Sequence, residues 1–321
     1  MSNKLIYQTN PLYPKLLWQR PVHFYKAEAG KVLVIAGSKN MTGAAILTCE
    51  AVFRSGTGIL LLGYPESLTS IYKNILPEAM TLPLSETPGL TLSQKAKETI
   101  VAQGESCDVV IIGPGLSQNP ETIQLIWQLV FEINKPIVLD ADGLTALTKG
   151  IEILKSKKDN FFLIDYFQNK RGSLILTPHH GEAYKLIQAI KPEELENIKF
   201  SIAYIEKHKV EISQILAHYL ASIVILKGPD SVICEPNNRL VINKSGGPEL
   251  ATAGSGDVLS GIVGSFVGQN PNQIFEACCT AVFLHGLAGN ISKEKVGERS
   301  VIASDIIRFL PEAIKKTEEN I

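Results

Sequence analysis

The sequence predicts an α/β protein: a single domain with a mostly parallel central sheet and helices on both faces. Short β-branched runs alternate with stretches of helical length through most of the 321 residues. The runs are almost continuously apolar, as strands buried on both faces must be. Because parallel neighbours need a crossover connection, this alternation indicates right-handed βαβ units.

Six apolar runs predict the core strands. They are Lys31–Ala36, Ile59–Gly63, Val109–Gly113, Pro136–Asp140, Ser173–Thr177 and Ser222–Lys227. Two further strands are predicted on either side of the turn sequence Pro236-Asn237-Asn238, namely Ser231–Glu235 and Arg239–Asn243, and they form a hairpin. Stretches of helical length are Ala44–Ser55, Pro120–Ile133, Gly181–Ile190 and Val258–Val267.

No repeat or Pro/Ser-rich linker divides the chain, so we predict one domain from residue 26 to 321. Residues 1–25 form an N-terminal segment that we expect to pack on it. The most polar stretch, Lys155–Gly172, is predicted to be a solvated insertion between elements.

Charge and composition exclude several classes of protein. A formal net charge of -1 offers no basic face for nucleic acid. The five cysteines have neither CxxC nor zinc-like spacing and are expected to be reduced core thiols. The N-terminus has no apolar signal region, and we expect no run of about 20 apolar residues that would span a membrane. The predicted location is the cytoplasm.

Polar and glycine residues follow five of the predicted strands. Ligands of open parallel sheets bind outside the carboxyl ends of the strands, so these residues are expected to share one site. They are Gly37-Ser38, Gly113-Pro114-Gly115, Asp140-Ala141-Asp142, the loop from Thr177 to Glu182, and Lys227-Gly228.

The strongest single motif is the segment from Gly254 to Asp257, which precedes an apolar helix. Glycines at the start of a helix let several backbone N–H groups approach an anion, which suits a phosphoryl group in transfer. Asp257 beside them has the chemistry to accept a proton from an attacking hydroxyl. The alternative is that Asp257 only complements the helix dipole. The motif lacks the GK[ST] of a Walker A loop.

Other candidates stay open from spacing alone. Asp140 and Asp142 are placed to hold Mg²⁺ through water or to cap the next helix. His179 and His180 lie in a loop where contact with a ligand is expected. Lys227 either places an ammonium near a nucleotide or is a bare surface lysine. Glu182 would complement a helix dipole. His285 is expected to be either a satisfied core group or a group that supports the site from the layer behind it.

Eight segments together resemble the ADP/ATP-dependent NAD(P)H-hydrate dehydratase family of the ribokinase-like superfamily. They include GKVLVIAGSKNMTGAAILTCEAVFRSGTGIL, DVVIIGPGLS, PIVLDADGLTAL, LILTPHHGEAYKL, IVILKGPDSVI, GGPELATAGSGDVLSGIVGSF, AVFLHGLAG and ASDIIRFLP. Their order matches the family from about residue 20 to residue 311. The resemblance implies a ribokinase-like fold.

The resemblance also implies a repair reaction. Hydrated NADH or NADPH (NADHX or NADPHX) would be phosphorylated on its ring hydroxyl by ADP or ATP, with Mg²⁺, and loss of phosphate would regenerate the cofactor. It implies that Asp257 is the base and that the N–H groups of Gly254, Ser255 and Gly256 form an anion hole. Substrate contacts carry over to Ala44, Gly113, Gly115, His179 and Asp257. Nucleotide contacts carry over to Lys227, Gly228, Pro229, Asp230, Ser231 and Gly256.

The sequence departs from the family pattern in three places. Gly247 replaces an asparagine, His180 replaces a proline with an expected loss of rigidity, and Lys155–Gly172 looks inserted. No epimerase-like domain precedes residue 20, so epimerisation of the hydrate is expected from a separate protein. Family resemblance also makes a homo-oligomer an expectation.

Two other functions compete. A kinase of a small alcohol, such as a thiazole or pyrimidine vitamin precursor, shares the Gly-Ser-Gly-Asp centre. A nucleotide sensor without catalysis would keep the fold, but the intact Asp257 argues against it. A nicotinamide dehydrogenase is disfavoured because the first loop lacks GxGxxG.

Overall fold

Ten strands form one sheet in the part of the chain that the structure describes. This computed structural model describes residues 6–8, 20–156, 161–196 and 198–319. The strands are β1 Ile6–Gln8, β2 Lys31–Ile35, β3 Ile59–Pro65, β4 Met80–Leu84, β5 Val109–Ile112, β6 Ile137–Leu139, β7 Leu174–Leu176, β8 Ser222–Leu226, β9 Val232–Cys234 and β10 Leu240–Asn243.

Twelve α-helices of the described residues connect and cover these strands. They are α1 Thr42–Arg54, α2 Thr69–Ile75, α3 Lys97–Glu105, α4 Pro120–Glu132, α5 Asp142–Lys155, α6 Phe161–Gln168, α7 His180–Ile190, α8 Ile202–Lys207, α9 Lys209–Tyr219, α10 Ser255–Gln269, α11 Ile274–Val296 and α12 Ala303–Glu318.

The strand order across the sheet is β1-β10-β9-β8-β7-β6-β5-β2-β3-β4. Every pairing is parallel except those of β9, which runs antiparallel to β8 and β10. The predicted hairpin is therefore confirmed, with Leu240 opposite Cys234. All eight predicted strands are present. Their parallel arrangement brings the carboxyl ends of β2, β5, β6, β7 and β8 to one edge.

The alternation of side chains along each strand builds two cores. In β2, Leu33 and Ile35 belong to the cluster packed under α3, α4, α5, α7 and α9. Val32 and Val34 belong to the cluster on the other face, under α1, α10, α11 and α12. Because successive strand residues point to opposite faces, an apolar run satisfies both layers at once. The predicted helix-covered sheet is confirmed.

Two strands were missed from sequence. β4 is an edge strand with the half-exposed Met80 at its start and Pro83 within it, which weakens the strand pattern. β1 has only three residues and pairs in parallel with β10. β1 and residues 20–25 belong to the predicted N-terminal segment, of which the rest lies outside the described residues. Its boundary at residue 25 stays a prediction.

The prediction of a solvated insertion at Lys155–Gly172 is wrong in part. Residues 157–160 lie outside the described residues, but α6 follows them, and Leu163 and Phe167 on it are buried. Phe167 packs against Trp127 and Phe131 of α4. The polar residues on either side of α6 made this amphipathic helix difficult to recognise in the sequence. Two buried residues in two turns are enough to dock such a helix on the core.

The prediction that the cysteines lie in the core is confirmed, because all five are buried and none forms a disulfide. In the described part of the chain, α11 alone is long and apolar enough to cross a membrane. This helix is mostly buried between α10 and its other neighbours, as the core helix of a globular fold is. The expectation that no run of this length occurs overlooked α11, because small and polar residues interrupt its apolar pattern.

Candidate active site

The first turn of α10 forms the centre of the site. Gly254 precedes the helix with a φ of 85°, which strains any other residue, and a Cβ there would also require Leu47 Cδ1, 2.5 Å away, to move. The helix begins at Ser255, three residues before the predicted start. Helix geometry leaves the N–H groups of this turn without intrahelical acceptors, and they point out of the helix beside Asp257.

Two of the predicted anion-hole residues, Ser255 and Gly256, have different surroundings. The N–H of Ser255 donates to the Thr252 carbonyl oxygen at 3.3 Å, which is a long bond. Gly256 lies inside the first turn, and a Cβ on it would be 3.2 Å from Lys227 Nζ. The ammonium of Lys227 therefore lies close to Gly256. This combination of a backbone donor and a fixed cation suits a phosphate.

Asp257 is a partly buried carboxylate with a perturbed pKa. Burial, followed by the negative charge of Asp140, raises its pKa from 3.8 to about 6, and Lys227 limits the rise. Its backbone is tied to α1, because Thr48 Oγ1 donates to the Asp257 carbonyl oxygen at 3.2 Å. At neutral pH the group is mainly ionised, yet it is more basic than an ordinary aspartate. These are the properties of a general base.

Asp140 directly follows β6 and is 1% exposed, and both of its carboxylate oxygens accept hydrogen bonds. Its Oδ1 accepts from Lys227 Nζ at 2.8 Å, and its Oδ2 accepts from Ser260 Oγ at 2.6 Å. Burial would raise its pKa, but the charge and hydrogen bond of Lys227, with that of Ser260, hold it below its usual value. Lys227 is thus a partly buried partner of Asp140, with 18% of its side chain exposed, and not the bare surface lysine of the alternative interpretation.

Neither aspartate of the pair caps the next helix. The residue before α5 is Ala141, with no side-chain cap. Asp142 Oδ2 instead accepts from the backbone N–H of Ser117 at 2.8 Å. Within the described ranges no three His, Cys, Asp or Glu side chains cluster as metal ligands. The helix-cap explanation of Asp140 and Asp142 is therefore wrong.

His179 caps α7. Its Nδ1 accepts from the N–H of Gly181 at 2.9 Å, and Glu182 Oε2 accepts from the N–H of His179 at 2.8 Å, which completes a capping box. Because Nδ1 is the acceptor, the neutral ring carries its proton on Nε2. Burial lowers the pKa of His179, assisted by Lys227. Its side chain remains 61% exposed, and Nε2 lies 3.6 Å from Glu182 Oε1 at the edge of the site.

Glu182 faces the same charged group. Its Oε2 lies 3.9 Å from Lys227 Nζ, and its side chain is 14% exposed. Burial raises its pKa to about 7, opposed by Lys227 and increased by Asp140. The predicted interaction with the helix start is present as the capping box. Sequence reasoning did not reveal that the same carboxylate also meets the lysine.

His180 is the first residue of α7, and its ring fills the space beside Gly228. A Cβ on Gly228 would lie 2.8 Å from His180 Nε2, and Gly228 has a φ of 141°. His180 Nδ1 is 3.6 Å from Glu206 Oε1. The histidine that replaces a proline therefore joins the start of α7 to the predicted nucleotide segment.

The predicted nucleotide segment, residues 227–231, follows β8 as a tight turn. Ser231 Oγ donates to the Gly228 carbonyl oxygen at 3.0 Å, and Asp230 has a φ of 54°. Lys209 Nζ donates to the Asp230 carbonyl oxygen at 2.8 Å, and Lys244 Nζ lies 2.6 Å from Asp230 Oδ2. Asp230 is thus held by two lysines, and its carboxylate anchors the turn.

Two of the predicted substrate residues lie together. A Cβ on Gly115, whose φ is 62°, would be 3.0 Å from Ala44 Cβ and 2.7 Å from Met41 Cβ. Gly113 has a different environment, because a Cβ there would lie 1.9 Å from the Asp140 carbonyl oxygen. The requirement for glycine at position 113 is therefore one of backbone packing between β5 and β6.

Gly247 has a neighbour that compensates for its small size. A Cβ on Gly247 would lie 2.9 Å from Glu249 Oε2, so an asparagine at this position would need Glu249 to move. Glu249 itself is 3% exposed. The departure from the family pattern at position 247 is thus coupled to the residue two positions later.

Sequence reasoning missed Ser260 and Thr48. Each is a buried hydroxyl inside an apolar helix, where serine and threonine usually bond to their own helix. Their second contacts, to Asp140 and Asp257, arise only when distant segments meet. His285, predicted as a satisfied core group, is buried and lies within hydrogen-bonding distance of Ser255.

Comparison with known proteins agrees with this geometry. Residues 32–312 match the family model described as NAD(P)H-hydrate dehydratase. A bifunctional NAD(P)H-hydrate repair enzyme of Moorella thermoacetica is 33% identical over 94% of this chain and 52% of its own length. The ADP-dependent (S)-NAD(P)H-hydrate dehydratase of Neisseria meningitidis is 28% identical over 92% of this chain and 88% of its own. The chain spans about half the length of the bifunctional relatives.

Solved structures show the same fold. The ADP/ATP-dependent NAD(P)H-hydrate dehydratase of Bacillus subtilis, co-crystallised with ATP and Mg²⁺, has a TM-score of 0.73 and 23% identity. The alignment covers 97% of this chain and 99% of that one. The architecture is ribokinase-like, as the sequence predicted.

Proposed function

The chain belongs to the NAD(P)H-hydrate dehydratase family, and from this we propose that it dehydrates NADHX or NADPHX at the expense of ADP or ATP. The observation that carries the proposal is the position of Asp257. Its pKa is raised to about 6, and it lies beside the outward N–H groups of the first turn of α10 and the ammonium of Lys227. A base, an anion site and a cation meet at one edge of the sheet.

The arrangement supports a two-step reaction. The hydroxyl of the hydrated ring attacks the terminal phosphorus of the nucleotide while Asp257 accepts its proton. The O–P bond forms, the anhydride bond breaks, and the shortened nucleotide leaves. In the second step the C–O bond breaks, phosphate leaves with its electron pair, and a proton leaves the neighbouring ring carbon. A carbon–carbon double bond forms, which restores the dihydronicotinamide.

We assign the remaining residues by their placement. The N–H of Gly256 and the ammonium of Lys227 bind the phosphoryl group while it is transferred. Gly115 and Ala44 allow the substrate to approach α1 closely, and the exposed Nε2–H of His179 donates to it. The turn from residue 227 to 231 contacts the nucleotide. Ser255 and Gly254 set the direction of the donors.

The residues fit a magnesium ion bound mainly by the nucleotide. Mg²⁺ prefers oxygen ligands and usually takes one or two carboxylates together with phosphate oxygens and water. Glu182 is one carboxylate at this edge that suits such a role, because its Oε2 accepts the capping bond while its Oε1 only faces His179 Nε2 at 3.6 Å. Asp140 is already held by Lys227 and Ser260. When bound, the ion neutralises charge on the phosphates.

The surroundings of the reaction are also proposals. Five buried cysteines that form no disulfide favour a reducing compartment, and we place the protein in the cytoplasm. The bifunctional name of the relatives supports a partner activity, an epimerase that acts on the same substrate. A homo-oligomer is expected and is tested by size-exclusion chromatography with light scattering.

The test of the proposed function is a direct assay. The purified chain is mixed with NADHX, Mg²⁺ and either ADP or ATP, and the near-ultraviolet absorbance of the dihydronicotinamide is followed. We expect absorbance to grow only when a nucleotide is present, and the faster donor identifies the preference. Nucleotide binding without any growth in absorbance would overturn the proposal. Phosphorylation of a thiazole or pyrimidine alcohol would then identify a small-alcohol kinase, and no transfer a sensor.

A further inference from the structure

His285 on α11 contacts the first turn of α10 from behind. It is 6% exposed, and its Nε2 lies 3.1 Å from the Ser255 carbonyl oxygen and 3.2 Å from Ser255 Oγ. A carbonyl oxygen can only accept, so Nε2 carries the proton. Burial lowers the pKa of His285 to about 4, which keeps the ring neutral at working pH. The histidine is therefore a fixed neutral donor to Ser255.

The carbonyl group of Ser255 and the N–H of Gly256 belong to the same peptide unit. This unit is planar and trans, so its C=O and N–H bonds point in opposite directions. A hydrogen bond that fixes the Ser255 oxygen toward α11 therefore also fixes the Gly256 N–H on the opposite side. Lys227 Nζ lies close to the same residue, 3.2 Å from where a Cβ on Gly256 would be.

We infer that His285 is a positioning residue that aims the Gly256 N–H at the transferring phosphoryl group through the Ser255–Gly256 peptide plane. The inference rests on the proposed phosphoryl transfer at this turn. It extends the site to a side chain that touches neither substrate nor nucleotide. A hydrogen-bond donor that is already oriented before the reaction needs no reorganisation when negative charge develops in the transition state. Such preorganisation lowers the activation barrier.

Packing alone predicts a different outcome, and a matched pair of variants separates the two. In H285Q the side-chain amide nitrogen is as many bonds from Cβ as Nε2 of histidine, so the donor is kept. H285M has the same length and similar bulk without a donor. Both variants lose the imidazole ring, so a pure packing role would affect them equally.

We expect H285Q to keep kcat within a few-fold of the wild type and H285M to lose roughly 10- to 100-fold. The loss should be smaller than the roughly 10²–10³-fold cost of removing an anion-hole donor outright. KM for NADHX and the Kd for ADP should stay within about twofold, since the ground state uses this N–H less. The affinity of ADP with aluminium fluoride or vanadate, which mimic the transition state, should fall in parallel with kcat.

A second readout does not depend on turnover. The ¹⁵N–¹H signal of Gly256, followed by NMR in the presence of ADP and vanadate, should shift in H285M and stay near its wild-type position in H285Q. Equal losses in the two variants, or a wild-type kcat in H285M, would overturn the inference. Absence of dehydratase activity in the wild type would instead count against the proposed function. The Gly256 signal would then still decide whether His285 aims this amide.

Discussion

Lys227 and Asp140 form an ion pair across the carboxyl edge of the sheet, with Nζ 2.8 Å from Oδ1, in which the carboxylate is buried and the lysine side chain is 18% exposed. The two residues are 87 positions apart in the chain, and each directly follows a strand of the sheet, Asp140 after β6 and Lys227 after β8. Asp140 holds the ammonium beside Gly256, where it faces the predicted phosphate, and Ser260 holds the other carboxylate oxygen. The pair therefore connects the stability of the fold with the electrostatics of the site.

Replacing Lys227 by methionine should affect both properties. K227M leaves the Asp140 carboxylate buried without its cation, and breaking such a pair typically costs about 3–5 kcal/mol. We expect this loss in the free energy of unfolding, measured by urea titration, together with loss of dehydratase activity. The double variant D140N/K227M removes both charges and should recover more than half of the stability but none of the activity.

Additive losses in the double variant would contradict the coupling of the two charges. The matched control is K97M, because Lys97 forms an exposed pair with Glu132 at 2.9 Å. Exposed pairs are typically worth about 0–1 kcal/mol, so K97M should change stability little and activity not at all.

The order of elements and the glycine-rich loops were readable from the sequence because both are local signals. Apolar runs placed six strands and a turn sequence placed the hairpin, and parallel topology then required the loops after the core strands to meet at one edge. The pairings within that edge were not readable. Asp140 had two open interpretations, and only the fold shows that its partners are Lys227 and Ser260.

The misses have physical reasons as well. α6 was obscured because few buried residues are enough to dock a short helix among polar neighbours. The start of α10 was placed three residues late because glycines disfavour helix by propensity, while tertiary packing overrides it. For Gly113 the structure adds a packing requirement against the Asp140 carbonyl oxygen, and its contact with the substrate stays a prediction.

The next prediction concerns the backbone between β5 and β6. G113A places a Cβ within 1.9 Å of the Asp140 carbonyl oxygen at a φ of 132°, so the Asp140 segment must move. We expect a loss of about 3 kcal/mol or more in the free energy of unfolding and a severe loss of activity. G89A is the control, since its nearest neighbour, Thr87 Oγ1, would be 3.6 Å away. A G113A protein as stable as G89A would contradict the packing requirement.

Asp257 is predicted to be essential for turnover and not for binding. D257N keeps the size of the side chain but cannot accept the hydroxyl proton, so kcat should fall by roughly 10²–10⁴-fold. Calorimetric titration should show nucleotide affinity within a few-fold of the wild type. D108N is a distant control, because Asp108 accepts from the Lys31 N–H at 2.7 Å between β2 and β5. Near-normal turnover in D257N would disprove the assigned base.

The pKa of Asp257 predicts opposite effects of pH on activity and on stability. The base must be ionised, so kcat/KM should rise with pH through about 6 and fall about tenfold per unit below it. Glu182, with a pKa raised to about 7, is the other group that could produce such a limb. E182Q keeps a capping side chain. The limb near pH 6 should therefore persist in E182Q, and its disappearance would assign it to Glu182.

The contribution of Asp257 to folding stability changes with pH in the opposite direction to activity. The folded state raises the pKa of Asp257 above its ordinary 3.8, so it binds the proton more tightly than the unfolded state between about pH 4 and 6. The contribution of this group to stability therefore declines as pH rises through that window and stays at its minimum above it. D257N removes the penalty, and we expect it to exceed the wild type by about 1–2 kcal/mol at pH 7. Near pH 4 the two proteins should unfold at similar denaturant concentrations. A difference that does not change between these pH values would show that the gain has another origin than the ionised carboxylate.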